Sequence, residues 1–277
     1  MEIRYSMDPG NCLMADTEEL RNTFLIDDLF AFDKVQMVYL DTDRAIIGSA
    51  VPVSNPLPLL SSKKEMASEY FTERRELGII NIGAKGIVIA DGKIFQLDFK
   101  DALYIGKGTK QIEFSSLDKD DPALFYFASF PSHTTFPTAL LKASDVRGTK
   151  IGSLKDSNKR TINKYIYPNG IKSCQLVMGL TELEEGSVWN TMPVHTHPRR
   201  SEIYMYFNLD KDSVVFHLMG EPGNTRHIVL RNRQAVISPS WSIHSGVATK
   251  NYSFIWAMGG ENQDFDDMDW VKMEELF

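Results

Sequence analysis

Short β-rich runs, repeatedly broken by turn residues, constrain this chain more than any other feature. Val35–Leu40 and Ala45–Gly48 are two such runs, separated by Asp41 to Arg44. The stretch Val51–Leu60 carries Pro52, Pro56 and Pro58, which cannot donate to a strand ladder, so it reads as a loop or an edge segment. Glu76–Ile82 and Ile87–Ile89 flank a glycine-bearing turn, and Asp91-Gly92 is a tight-turn signal that returns the chain through Lys93–Leu97. Ala102–Ile105 and Gln111–Phe114 continue the series. The same rhythm resumes later, in Cys174–Leu180, Ser187–Asn190, Ile203–Leu209, Ser213–Leu218, His227–Leu230, Ala235–Ser238 and Ser253–Met258. Strands at this spacing predict an all-β sandwich or barrel with a few short peripheral helices. One helix is predicted over 16–30, where Asp16 and Glu19 fit a capping box and Leu20 and Phe24 share a face. The tail from Met268 to Phe277 reads as a short amphipathic helix for packing or subunit contact.

The polar stretch 144–160 (SDVRGTKIGSLKDSNKR) reads as a linker. It predicts an N-terminal domain over 1–145 and a C-terminal one over 146–277. The halves look related. Glu76-Leu-Gly-Ile-Ile-Asn-Ile82 is similar to Glu202-Ile-Tyr-Met-Tyr-Phe-Asn208, and each follows an arginine pair, Arg74-Arg75 and Arg199-Arg200. Ala102–Gly108 is similar to Ala235–Trp241 in the same order, so a duplicated barrel is predicted.

Composition bounds the partners. Thirty Lys and Arg against 37 Asp and Glu give a formal charge of −7, which argues against nucleic acid and against an anionic membrane surface as partners. Cys12 and Cys174 are too few and too far apart for a disulfide framework. The N-terminus lacks an apolar signal core, and no run approaches the roughly 18 apolar residues of a membrane helix, so the cytoplasm is the expected compartment.

Chemistry is concentrated in Pro193-Val-His195-Thr-His197-Pro-Arg-Arg-Ser-Glu202. On a strand, residues i and i+2 share a face, so His195 and His197 present two imidazoles side by side. Pro198 turns the chain, and Glu202 opens the next strand. Pro239-Ser-Trp-Ser-Ile-His244 supplies a fourth group after a Pro-led turn. Imidazole with carboxylate suits Zn, Fe, Mn, Ni or Co, and the lack of a nearby thiolate argues against a closed structural zinc site. Four protein ligands leave open positions for water or substrate. The remaining histidines read differently: His133 and His227 as surface residues, and His217, on an apolar strand, as a satisfied core histidine.

His-x-His-x4-Glu followed by Pro-x4-His resembles the two cupin motifs, with Trp241 standing where a Gly is common. The likeness to the 5-keto-4-deoxyuronate isomerase family (4-deoxy-L-threo-5-hexosulose-uronate ketol-isomerases) runs nearly full length. It is carried by Glu73–Gly83, Cys174–Thr181, Gly186–Pro193, Gln234–Gly246 and Phe254–Gln263. That resemblance implies a bicupin, two cupin-like β-barrel or jelly-roll domains. It further implies one divalent metal per subunit, zinc by the family's habit, held by His195, His197, Glu202 and His244. A cytoplasmic homohexamer acting on a small deoxy-keto-uronate in pectin breakdown is implied too. In the first half Gln111 falls where His244 falls, and no His precedes Glu76, so that domain is expected to be a structural partner without metal ligands.

The implied reaction, an aldose–ketose isomerisation, moves a carbonyl from C1 to C2. It needs a base, stabilisation of enediolate oxygens and return of the proton, and a metal ion acting as Lewis acid meets the second need. The spacing does not identify the base. Tyr204 and Tyr206, on the face of Glu202, and Glu261, after Gly259-Gly260, are the candidates for proton transfer. Arg199 and Arg200 are the candidates for the substrate carboxylate. Structural roles compete for each: barrel filling, surface acid, solvated charge. Two rival functions share the ligand set, a cupin dioxygenase and a non-catalytic sugar-binding cupin.

Overall fold

A computed structural model describes residues 1–277. It divides into two compact units, one of Met1–Ile3, Asp28–Val146 and Tyr165–Val177, the other of Arg4–Asp27, Arg147–Lys164 and Met178–Phe277. One boundary, between Val146 and Arg147, falls in the polar stretch one residue beyond the expected cut at 145/146. The segments Arg4–Asp27 and Tyr165–Val177, however, each count with the unit that such a cut would exclude them from. Local bonds account for both. Leu25–Ile26 pairs with Val236 and Ala235, and the Arg226 guanidinium accepts the task of capping Cys12, Leu13 and Ala15 by donating to their carbonyls. In the first unit, the Glu76 carboxylate receives the N–H groups of Cys174, Gln175 and Leu176 at 2.7 to 2.8 Å.

Within the first unit a seven-stranded sheet runs in the order Glu2–Arg4, Val35–Leu40, Ile46–Ala50, Phe125–Pro131, Arg75–Asn81, Ala102–Ile105, Ala139–Leu141. A four-stranded sheet runs Leu57–Pro58, Ile112–Ser116, Gly86–Ala90, Lys93–Leu97. The second unit repeats the plan. Its large sheet is Thr149–Ile151, Arg160–Ile166, Val177–Leu183, Ser253–Gly260, Arg200–Phe207, Ala235–Ser238, Leu25–Ile26. Its small sheet is Trp189–Asn190, Ser245–Ala248, Val215–Glu221, Asn224–Leu230. All four sheets have free ends, so each unit is an open two-sheet jelly roll and not a barrel closed by hydrogen bonds. The first unit is filled between its sheets by alternating apolar residues, Leu77, Ile79 and Phe127 from one and Val88 and Phe114 from the other; Phe114 and Phe127 stack at 6.1 Å.

Two glycines mark the duplication. A Cβ on Gly48 would lie 2.3 Å from Gln36 O and 2.4 Å from the Phe127 ring; one on Gly179 would lie 2.4 Å from Asn163 O and 2.3 Å from the Trp256 ring. Both sit on the third strand of their unit's large sheet, with a bulky aromatic of the neighbouring strand lying across them. The register corrects the sequence comparison by one residue. Glu202 lies opposite Ser238 and Leu77 opposite Ile105, the last residues of matching strands. The counterpart of Glu202 is therefore Leu77, an interior residue. Glu76 faces the other way, and besides the three N–H groups it accepts the Tyr104 hydroxyl at 2.8 Å. A one-residue slip exchanges the two faces of a strand.

The helix predicted over 16–30 is real but shorter. It spans Thr17–Phe24 with the Asp16/Glu19 capping box formed, and Leu20 and Phe24 are buried. It stops because the next two residues enter the large sheet. A second helix, Pro9–Met14, is capped by Asp8. The polar stretch 144–160 contains an edge strand, Thr149–Ile151, paired with Arg160–Ile162. The tail is not a helix: Asp269–Trp270 forms a ribbon with His195–Thr196, and only Met273–Glu275 makes a single 3-10 turn. No helix is long and apolar enough to cross a membrane.

Candidate metal centre

Three pieces of the second unit converge on one point. The ribbon His195–Thr196 brings in His195, and the turn after it brings in His197. Arg200–Phe207 supplies Glu202 near its start, and His244 stands immediately before Ser245–Ala248. One donor atom from each of the four lies within 4.8 Å of all the others, and all four residues are buried. Glu202 Oε2 is 3.1 Å from His197 Nε2 and 3.0 Å from His244 Nε2; His244 Nε2 is 3.0 Å from His195 Nε2. Trp241, the departure from the usual motif, packs its ring edge-on against Phe24 at 6.4 Å, so the bulk is taken up by the N-terminal helix.

The protonation states suit a cation. His197 Nδ1–H donates to the Arg200 carbonyl at 3.1 Å, which leaves Nε2 with its lone pair directed at the cluster. Burial, reinforced by the neighbouring His244, pushes the His195 imidazolium down to about 2, so the ring is neutral. Burial alone would raise the Glu202 carboxyl, but the facing His244 and His197 rings outweigh it and hold its pKa below the ordinary value. The buried His195 Nδ1 has no partner. Three imidazole nitrogens and one carboxylate oxygen converging in a buried site fit a divalent ion.

A cavity of about 290 Å³ opens beside the cluster, lined in part by His195, His197, Glu202 and Tyr204. Of the residues singled out for proton transfer, only Tyr204 lines it. Tyr206 lies deeper, its hydroxyl 2.8 Å from His217 Nδ1, while His217 Nε2 meets Ser238 Oγ at 3.2 Å. That makes His217 the satisfied core histidine expected of it, with burial pushing it down to about 3. Glu261 is exposed and absent from the cavity wall. His133 and His227 are exposed as expected.

Arg199 and Arg200, read as carboxylate binders, point away from the cavity. Arg199 pairs with Asp267 at 2.8 Å and Asp269 at 3.0 Å. Arg200 is buried and donates to Asn262 Oδ1 and the Asp264 carbonyl. The cations on the cavity wall are Arg160 and Lys164 instead. Arg160 is only 7% exposed, its Nε has no partner, and one terminal nitrogen donates to Asn158 O at 2.8 Å. Lys164 Nζ sits 3.6 Å above the Phe265 ring. Both lie in or beside the polar stretch that reads as a linker. Their signal was the period-2 set Arg160, Ile162, Lys164, which puts all three on one strand face.

Comparison with known proteins turns on one match, of the model of the KduI/IolB family to residues 31–273. The chain belongs to the KduI/IolB family. A 4-deoxy-L-threo-5-hexosulose-uronate ketol-isomerase of Caldicellulosiruptor bescii is 56% identical over 276 residues, covering all of both chains. Among solved structures, an IolB-like protein of Salmonella typhimurium superposes with a TM-score of 0.70 at 13% identity, covering 90% of this chain and 96% of its own. An oxalate decarboxylase of Lactobacillus farciminis superposes at 0.53 and 10% identity, covering 90% of each. These two likenesses speak to the fold: the KduI/IolB chain is an all-β protein of two cupin jelly rolls, as the motifs imply.

Proposed function

We propose that the protein is a ketol-isomerase interconverting 4-deoxy-L-threo-5-hexosulose uronate and 3-deoxy-D-glycero-2,5-hexodiulosonate in pectin and polygalacturonate breakdown. The observation that carries this reading is full-length identity of 56% to a relative bearing that enzyme's name. In the same reading His195, His197, Glu202 and His244 hold one zinc ion per subunit. The half over 1–145 has no metal ligands, and the enzyme is a cytoplasmic homohexamer.

Each side chain then has a task. The four ligands fix an ion that, when bound, supplies a Lewis-acid field for negative charge developing on two neighbouring substrate oxygens. Arg160 is the partner for the substrate carboxylate. Its buried guanidinium has a nitrogen without an acceptor, and a carboxylate supplies one in a charge-assisted bond. Lys164 adds a second positive charge on the same wall. Tyr204 holds a proton at its hydroxyl: burial first, and then the negative Glu202, push its pKa well above the ordinary value. It therefore acts as a donor to a substrate oxygen, not as the base. The apolar walls, Trp256, Met258 and Phe254 among them, exclude water around the reacting carbons.

The test is an anaerobic incubation of the purified protein with the 4-deoxy-5-keto-uronate released by oligogalacturonate lyases, followed by carbon NMR. Loss of the C1 aldehyde hydrate signal and growth of a C2 ketone signal are expected, with no oxygen uptake when air is admitted. Absence of turnover, or turnover that needs oxygen, would refute the isomerase reading.

A further inference from the structure

Residues 261–270 leave the strand Ser253–Gly260 and run along one wall of the cavity. Both ends are tied by the main chain: Glu261 N–H donates to Arg199 O at 2.8 Å, and Val271 N–H to Val194 O at 3.0 Å. Near its end the segment pairs with the strand that carries a proposed ligand, Trp270 opposite His195 and Asp269 opposite Thr196. Phe265, Asp266, Met268 and Trp270 from this segment are part of the cavity wall. Yet none of its side chains is fully buried. Phe265 touches Trp256 at 5.2 Å between ring centres and lies under Lys164, and Trp270, 57% exposed, meets the His195 ring edge-on at 5.2 Å.

Polar side chains carry much of the holding, and two adjacent arginines share it. Arg200, fully buried, donates to Asn262 Oδ1 and the Asp264 carbonyl and also reaches the Asp267 carbonyl at 3.3 Å, while Asn262 Nδ2 donates to Asp267 Oδ2 at 2.6 Å. Arg199 is about one-third exposed and grips the crown. Its Nε donates to Asp267 Oδ2 at 2.9 Å and a terminal nitrogen reaches Asp267 Oδ1 at 2.8 Å, a two-point fork. The same terminal nitrogen reaches Asp269 Oδ2 at 3.0 Å. A cavity wall with no fully buried side chain, its crown closed by a part-exposed ion pair, opens at lower free energy than the sheets around it.

We propose that residues 261–270 are a movable strap over the cavity, that Arg199 is the positioning residue that latches it shut, and that substrate enters when this latch releases. The inference rests on the isomerase reading only for what passes under the strap. The latch itself stands on the geometry alone.

Hydrogen exchange by mass spectrometry on the full-length, metal-loaded protein without substrate tests the latch. In Arg199→Ala, amides of 262–270 are expected to exchange about fivefold faster or more, as loss of exposed pairs implies, with the sheet amides and the bound metal unchanged. Arg199→Lys, which keeps the charge but loses the fork, is expected to lie between the two. Asp267→Asn is expected to reproduce Arg199→Ala. Steady-state kinetics then test entry: KM is expected to shift by a factor similar to that in exchange, and kcat by less. Strap exchange equal to wild type in Arg199→Ala overturns the latch. Faster exchange with unchanged KM and kcat overturns the entry route. If wild type fails to turn over the deoxy-keto-uronate, the isomerase reading fails, and the exchange data still decide the latch.

Discussion

His197 is the residue in which position and chemistry are most tightly coupled. A single bond from its Nδ1–H to the Arg200 carbonyl fixes ring orientation and tautomer together. The same turn thus aims a metal ligand and starts the strand that carries Glu202. Arg160 is the complementary case, a buried cation left short of an acceptor until an anion arrives. Arg160→Ala is expected to lower kcat/KM by about ten- to a hundredfold, the range for a hydrogen bond to a charged group, with the loss mostly in KM and with metal content unchanged; steady-state kinetics on wild type, Arg160→Ala and Arg160→Lys check this. His217 gives a prediction in pH. Burial moves its imidazolium from the ordinary value of 6.5 down to about 3, so between those values the unfolded chain binds a proton that the folded chain does not. Stability therefore falls as pH drops from about 6.5 toward 3, by up to about 1.4 kcal/mol per pH unit for this one group. Thermal unfolding from pH 7 to pH 4.5 is expected to show the decline, and His217→Phe to make it shallower.

Among elements, the strand Val177–Leu183 depends on having no side chain at Gly179. Gly179→Ala puts a methyl 2.3 Å from the Trp256 ring and 2.4 Å from Asn163 O. One of them must move, at a cost of about 1–3 kcal/mol, and Trp256 takes a wall of the cavity with it. A lower urea midpoint accompanied by a raised KM is expected, whereas Asp16→Ala, which removes a helix cap far from the cavity, is expected to cost about 1 kcal/mol and leave KM alone. Elements whose signals are local were legible in the sequence. Lys93–Leu97, Ala102–Ile105 and Ala235–Ser238 have the bounds that alternation and turn residues predict. The convergence of His195, His197, Glu202 and His244 was legible too, from the His-x-His-x4-Glu spacing and the Pro-led turn before His244. Elements fixed by distant partners were not. Leu25–Ile26 reads as the end of a helix, and Asp269–Trp270 as part of one, until the edges they complete are known. Aligning the two glutamates does not give the half-to-half register. Aligning the arginine pairs instead sets Leu77 against Glu202, as the sheets do, and pairs buried Arg75 with buried Arg200.

At the scale of the whole molecule, duplication has produced two jelly rolls of unequal chemical content. One places Leu77 and Ile79 in its core, where the other places Glu202 and Tyr204 beside a cavity. The first unit thus gains a continuous apolar interior, and the second trades apolar packing for a buried polar centre whose donors are arranged so that they could take a cation. A hexamer of the 31.4 kDa chain is expected by sedimentation, with one metal ion per chain and not two. The most direct test of the central claim is to measure divalent metal content and isomerase activity together on wild type and His244→Ala, with circular dichroism to verify the fold. One ion per chain and full activity in wild type, with both lost in a folded His244→Ala, is the predicted result. Equal metal content and equal turnover in the two proteins would contradict the account.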